Sequence, residues 1–203
     1  MNAKNFDAEM CKIIEKELRA DKRPKLLLHA CCAPCSSACL ERLKNAFDVT
    51  VLFYNPNIVD GEYEKRKEEI KRFISATGWA DFLDCDYDGS EFFTAVKGLE
   101  ACPEGGSRCE ACFALRLEKT AVLARSGNYD YFATTLTLSP LKDAAKINGL
   151  GYERAQKYGV NWLPSDFKKR DGYLRSIELS KNYSLYRQNF CGCIFSQNNL
   201  KKL

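Results

Sequence analysis

The segment His-Ala-Cys-Cys-Ala-Pro-Cys at 29–35 packs three thiols, Cys31, Cys32 and Cys35, into one short stretch. A Cys-x-x-Cys pair follows at Cys109 and Cys112, and a Cys-Gly-Cys pair at Cys191 and Cys193. The thiolate is the form of cysteine that binds metal and attacks disulfides, so each group is a candidate for metal ligation or redox chemistry. Alone, the Cys-x-x-Cys spacing fits zinc, iron–sulfur or a dithiol couple. Gly192 gives the backbone freedom to turn its two flanking thiols to one side. The three groups together supply seven thiols. A structural zinc takes four ligands and leaves no open position. Seven thiols instead suggest a four-cysteine cluster with a second site, or a cluster beside a redox-active pair. All-sulfur sites with chemistry between them favour iron. His29 is the chain's single histidine, which argues against histidine-rich zinc catalysis. Beside the first cysteine group it is a candidate proton donor or a support for the ligands.

These residues need elements to position them. Lys25 to Ala30 reads as a short buried strand, and Pro34 sits where a helix over 35–45 begins. The thiols of 31–35 thus fall where a strand feeds a helix. The first turn of a helix offers unpaired N–H groups and a positive dipole end, which favour thiolates. A helix is expected over 5–20, a strand at Asp48–Tyr54 ended by the turn Asn55-Pro56-Asn57, and a charged helix over 61–76. A strand at Ala80–Cys85 and a helix at 89–99 follow. Beyond a loop marked by Pro103, Gly105 and Gly106, a helix runs from Cys109 to Ser126 and a strand from Tyr129 to Thr134. Ser139-Pro140 opens a helix to about Tyr158. The remainder is less regular, with a helix at 174–182 and a cysteine-bearing tail. Strands alternating with helices predict an α/β fold with a parallel sheet and helices on both faces. In such sheets ligands sit outside the carboxyl ends of the strands, where Cys31–Cys35, Thr134 and Thr135 all fall.

The 203 residues suffice for one domain with a sizeable core. We read a core from the 20s to about 160, with an extension over about 161–203 that completes the site. Residues 1–17 are polar rather than signal-like, and no stretch reaches the roughly 18 apolar residues of a membrane span, so a cytoplasmic protein is expected. Eleven cysteines in a reducing compartment point to metals or redox chemistry rather than a disulfide framework. Cys11, Cys39 and Cys85 read as packing residues, as does Cys102, for which a spare-ligand role is the alternative. The net charge of +4 permits binding to a phosphate backbone without demanding it.

Several blocks resemble one family in the same order. They are HACCAPC at 29–35, YNPNI at 54–58 with Glu62, Tyr63 and Arg66, PEGGSRCEACFALRLEKTA at 103–121, TTLTLSPLK at 134–142, and DFKKRDGYLRSIELSKNYSLYRQNFCGCIFS at 166–196. They are similar to the non-cobalamin epoxyqueuosine reductases, the QueH family. Asp60, where a proline-like turn residue is expected, is a small departure that leaves the chemistry untouched. The resemblance implies a Rossmann-like sheet of the HUP type. It implies reductive removal of the epoxide oxygen of epoxyqueuosine at the tRNA wobble position, a [4Fe–4S] cluster, and a second metal, iron or another, nearby. All seven thiols fall on the matched blocks. From proximity we expect Cys31, Cys32, Cys109 and Cys112 to hold the cluster. Cys35, Cys191 and Cys193 would then bind the second metal or act as a redox pair.

A tRNA substrate needs grips for phosphates and for an unstacked base. Lys142, Lys168, Lys169, Arg175, Tyr186 and Arg187 are the candidates, with Arg170, Tyr173 and Tyr183 interleaved. Asp143 is either a substrate contact or an ordinary helix start. Two rival classes are weighed. A sulfur-transfer enzyme on an ATP-using sheet needs a Gly-rich phosphate loop after the first strand, where this chain has cysteines. A zinc-bound RNA-binding module would hold zinc and no acid-labile sulfide.

Overall fold

A computed structural model describes residues 4–200. Among them, five strands form one parallel sheet: β1 (Lys25–His29), β2 (Asp48–Leu52), β3 (Asp81–Leu83), β4 (Tyr131–Thr134) and β5 (Asn161–Trp162), in spatial order β3-β2-β1-β4-β5. This is the expected Rossmann-like α/β arrangement. The central strand reads Lys-Leu-Leu-Leu-His and is buried from Leu26 onward. Such a continuous apolar run suits a strand covered on both faces. Leu26 and Leu28 join Val49, Val51 and Ala133 in one core layer, while Leu27 joins Phe132 and Trp162 in the other.

The first layer carries helices α1 (Phe6–Glu17), α2 (Ala33–Leu43) and α3 (Glu62–Thr77), joined by α7 (Gly172–Asn182), which packs on α2. The second carries α5 (Ser107–Ser126) and α6 (Ala144–Tyr158), packed on each other. Two short helices, α4 (Gly89–Ala95) and α8 (Ile194–Leu200), flank the site. The chain leaves β1 toward β2 on one side and reaches β4 on the other, so a crevice opens above the adjacent ends of β1 and β4.

Three elements differ from expectation. Helix α6 begins at Ala144 rather than at Ser139-Pro140, because Asp143 is its N-cap and accepts from the amides of Ala145 and Lys146. This is the ordinary helix-start role for Asp143. A 3₁₀ turn at Thr135–Leu138 fills the space before it. Strand β5 and helix α8 were not anticipated; two residues of strand and one short helix carry too little periodicity to be read.

Strand β5 depends on a missing side chain. Trp162 donates through Nε1 to Asn148 Oδ1 at 3.0 Å, and a Cβ on Gly151 would lie 2.2 Å from the Trp162 ring. Gly151→Ala should therefore destabilise the protein by about 1–3 kcal/mol in urea unfolding, the usual cost of overpacking a core. An unchanged midpoint would show that α6 and β5 shift apart freely.

Candidate functional site

The three cysteine segments meet in one cavity of about 490 Å³ above the crevice, lined by Cys31, Cys35, Cys109, Cys112, Cys191 and Cys193. Cys32 lies just behind this wall. Its sulfur caps the start of α2, accepting from the Cys35 amide at 3.3 Å, and sits 3.9 Å from the Cys31 sulfur. The sulfurs of Cys31, Cys32 and Cys35 lie within 4.8 Å of one another. With metal–sulfur bonds of about 2.3 Å, thiolates this close can share a metal. Cys109 occupies the first turn of α5, where its sulfur accepts from the Gly105 amide at 3.2 Å, and it packs against the core layer that includes Cys31 and Cys32. Cys112 packs instead with Cys193, Phe92 and Phe195.

The Cys191–Cys193 turn is held by α3. Arg66 is 1% exposed and donates to the carbonyls of Cys191 at 3.0 Å and Phe190 at 3.2 Å, while Glu62 accepts from its Nε. The Val59 amide donates to the Gly192 carbonyl at 2.9 Å. Gly192 has φ of +104°, and a Cβ there would lie 2.9 Å from the Arg66 guanidinium. Both backbone freedom and space require glycine between the two thiols.

Charge is distributed unevenly among the sulfurs. Hydrogen bonds from Cys32 and Cys35, with the nearby charges of Lys142 and Arg116, hold Cys31 well below the usual thiol range. Burial pushes Cys32 up to about 12, and the neighbouring thiols raise Cys35 further. Cys193 hydrogen-bonds Cys191 and, with Lys142 and Arg116, draws it down to about 5 while its own value rises. Burial lifts Cys112 to about 11. Lys142, half-buried in the cavity wall, is raised by the nearby sulfurs of Cys191, Cys31 and Cys35, although burial opposes this. The balance favours the thiolate at Cys31 and Cys191, and Arg116 and Lys142 place positive charge beside them. A buried all-thiolate donor set with compensating cations fits an iron–sulfur group, whose metals would take up the charge that crowded thiolates cannot all hold.

His29 is fully buried beneath the cysteines. Its Nε2 donates to the Tyr54 carbonyl at 3.1 Å, leaving Nδ1 to accept from Thr134 Oγ1 at 2.9 Å. Burial draws its pKa down to about 4. Both ring nitrogens are thus spent tying β1 to its neighbours. This geometry supports positioning the 31–35 loop rather than donating a proton to substrate.

The RNA candidates divide. Lys142, Lys168 and Lys169 line one open groove beside the cavity, with Lys4 and Arg170. Lys168 pairs with Asp166 at 2.6 Å, and Arg170 with Asp7 at 2.9 Å. Arg187 and Tyr173 line the cavity itself. Arg175 is engaged by Glu41 and Glu178, each at 2.8 Å. Tyr186 donates to Glu62 and stacks under Lys65, and Tyr183 packs against Phe73 and Trp79. Cys11, Cys39, Cys85 and Cys102 do not line the cavity; Cys39 is fully buried and donates to the Cys35 carbonyl. Sequence reasoning did not single out Arg116, 1% exposed on α5 among the thiols. Its spacing of one helical turn from Cys112 was the available signal.

Fold and site together define a cysteine-lined, metal-binding α/β protein with its centre above the switch point of a parallel sheet. The family model described as "Epoxyqueuosine reductase QueH" matches residues 26–199. An epoxyqueuosine reductase QueH of Streptococcus pyogenes serotype M1 is 45% identical over 95% of this chain and 78% of its own length. One from Staphylococcus epidermidis is 44% identical over 95% and 84%, and one from Thermotoga maritima 38% over 84% and 89%. The chain belongs to the QueH family of epoxyqueuosine reductases. Among solved structures, the U34-tRNA thiolase NcsA from Methanococcus maripaludis with its [4Fe-4S] cluster aligns with a TM-score of 0.58. The alignment covers 97% of this chain and 74% of that one at 14% identity, a likeness of fold.

The clamp on the Cys191–Cys193 turn is testable alone. Arg66→Met strips a buried ion pair and two carbonyl bonds. It should cost about 3 kcal/mol of stability and open the 188–193 segment to limited proteolysis. Retained protection of that segment would show that the turn is held by other contacts.

Proposed function

We propose that this chain is an epoxyqueuosine reductase acting on tRNA, with an iron–sulfur cluster and a second metal or a redox thiol pair in one cysteine-lined cavity. The observation that carries the reading is the meeting of three sequence-distant cysteine segments on a single wall, in a chain of this family. The reaction adds two electrons and two protons to an epoxide. Both C–O bonds break, an alkene forms and the oxygen leaves as water; a one-electron donor outside the chain is the source of electrons. An iron–sulfur cluster, when bound, supplies electrons singly. Cys31, Cys32, Cys109 and Cys112 are the residues we assign to it. Cys35, Cys191 and Cys193 remain for the second metal or for a dithiol couple.

The other residues of the chain prepare the reaction. Lys142 and Arg116 place positive charge where the oxygen must gather electron density, and low surrounding polarity strengthens that effect. Lys142, raised by the nearby sulfurs against the effect of burial, is the candidate to hand the oxygen a proton. His29 holds the end of β1, and Arg66 holds the Cys191–Cys193 turn. Exposed Leu141 and Tyr173 stand at the cavity mouth, where an unstacked base can rest on them. Lys168 and Lys169 in the adjoining groove are suited to the RNA backbone. The protein acts in the cytoplasm, where tRNA is modified; among the described residues no helix is long and apolar enough to cross a membrane.

Anaerobically purified protein should contain iron and acid-labile sulfide, and with a strong reductant convert epoxyqueuosine-bearing tRNA to the queuosine form without ATP. Cys109→Ala should lose most of its iron and all turnover; full iron, sulfide and turnover would remove Cys109 from the ligand set. Zinc alone in the wild type would favour the RNA-binding module, and a requirement for ATP the sulfur-transfer enzyme. Affinity for tRNA should fall steeply as salt rises, and replacing both Lys168 and Lys169 by Ala should reduce the slope by about one to two. A slope unchanged by the double substitution would move the backbone contact elsewhere.

A further inference from the structure

Three residues that line the cysteine cavity each carry a buried side-chain atom without a hydrogen-bond partner: Asn57 Oδ1, Gln188 Oε1 and Arg116 Nη2. Asn57 is 3% exposed and Arg116 1%. An unmade hydrogen bond of this kind costs about 1–3 kcal/mol, more for a charged group. Folded proteins leave few such groups, and those they leave call for an explanation. Here three share one cavity.

Their surroundings fix them. The Arg116 Nε donates to the Cys112 carbonyl at 3.2 Å and Nη1 to Asn55 Oδ1 at 3.5 Å, so only Nη2 is left over. Asn55 is itself anchored, donating to the Ala30 carbonyl at 2.8 Å. Asn57 follows two residues later in the same turn. Gln188 stands just before the Phe190–Cys191 carbonyls that Arg66 grips. The guanidinium and both amides are therefore mounted on backbone that the site already holds rigid.

The chemistry of the three atoms narrows the occupant. Thiolates and inorganic sulfides offer no protons, so the two amide oxygens are left either to coordinate a metal or to accept from a bound ligand. With seven thiols already assigned to the metal sites, the amides are free for a ligand bearing O–H or N–H groups. Arg116 Nη2 needs an acceptor. One small ligand would bring two donors into a cavity that also holds the thiols, and an acceptor for Nη2 beyond the Cys112 sulfur that already neighbours the guanidinium.

We propose that Asn57, Gln188 and Arg116 form the specificity subsite for the modified side chain of the substrate nucleotide. The two amide oxygens accept from its hydroxyl or amino groups, and Arg116 donates to its epoxide oxygen. This rests on the reading of the chain as an epoxyqueuosine reductase, whose substrate carries ring hydroxyls and a secondary amine beside the epoxide. Arg116 then acts most strongly as the C–O bonds break, when the oxygen gathers negative charge. Asn57 and Gln188 recognise the ring equally before and during that change. Their loss weakens binding, while the loss of Arg116 slows the reaction.

The test compares two tRNAs of the same sequence, one with epoxyqueuosine and one with guanine at the wobble position. Holoenzyme with Asn57→Leu or Gln188→Leu should bind the modified tRNA about tenfold more weakly, matching the lost hydrogen bond, and the guanine form as before. KM should rise with kcat little changed, and iron and sulfide should stay at wild-type levels. Arg116→Met should lower kcat by about a hundredfold with little change in KM, and Arg116→Lys should restore part of it. Should the Arg116 variants fail to fold, the two leucine variants decide. Variants that keep the wild-type preference between the tRNAs, or a wild type without one, would overturn the subsite. So would loss of iron from Asn57→Leu or Gln188→Leu, which would make those amides ligands. Because the binding comparison needs no turnover, a wild type that discriminates but does not reduce the epoxide would count against the proposed activity and leave the subsite standing.

Discussion

Crowding thiolates at one point is the constraint on which the rest of this structure depends. Several negative sulfurs within a few ångströms repel one another, and burial makes each dearer still. The fold answers in two ways. It lets Cys31 and Cys191 hold charge more easily and makes it harder for Cys32, Cys35, Cys112 and Cys193. It also brings two cations to the same wall, Arg116 from α5 and Lys142 from the loop before α6. Arg116 can be fully buried because the thiolates around it offset its desolvation. Metal binding and cation placement are therefore one problem, and the unusual burial of Arg116 is part of its solution.

Convergence also requires that three distant segments be held in register. The sheet supplies the first two. Cys31 follows the end of β1, and Cys109 and Cys112 lie in the opening turns of α5, which packs over β1 and β4. The third segment has no strand to fix it. Arg66 performs that task with one side chain, and the Val59 amide adds a backbone bond from the turn before α3. The tail that contributes Cys191 and Cys193 is thereby tied to the YNPNI turn, which also carries Asn55 and Asn57.

Much of this was legible in the sequence, for physical reasons. The apolar run of β1 and the alternation of strands and helices announced a parallel sheet. The cysteine groups announced themselves by number and spacing, since eleven thiols have few uses in a reducing compartment. What was not legible depended on pairing. Arg175 and Tyr186 carry the right chemistry for RNA, but charge on a helix does not reveal that Glu41 and Glu178 engage the one and Glu62 the other. His29 beside three cysteines suggested proton transfer. Only the register that sets it opposite Leu52 and Thr134 shows both ring nitrogens taken. Asn57 and Gln188 were invisible for a related reason: their interest lies in bonds they do not make.

The position of the cysteines has its own logic. In parallel sheets of this type, the loop after the first strand and the start of the following helix form a natural anion site, with free amides and a positive dipole end directed at the ligand. Phosphate-binding members of such folds place glycines there so that backbone amides can reach the phosphate. This chain places Cys31, Cys32 and Cys35 there instead. The Cys35 amide donates to the Cys32 sulfur, the bond an amide in a phosphate loop gives to oxygen. The same physical device faces a phosphate oxygen in one case and here a sulfur of the protein, which becomes an anion when metal binds. A fold suited to holding a negatively charged nucleotide is thus suited, by exchange of glycine for cysteine, to holding a thiolate-bound metal at the same strand end.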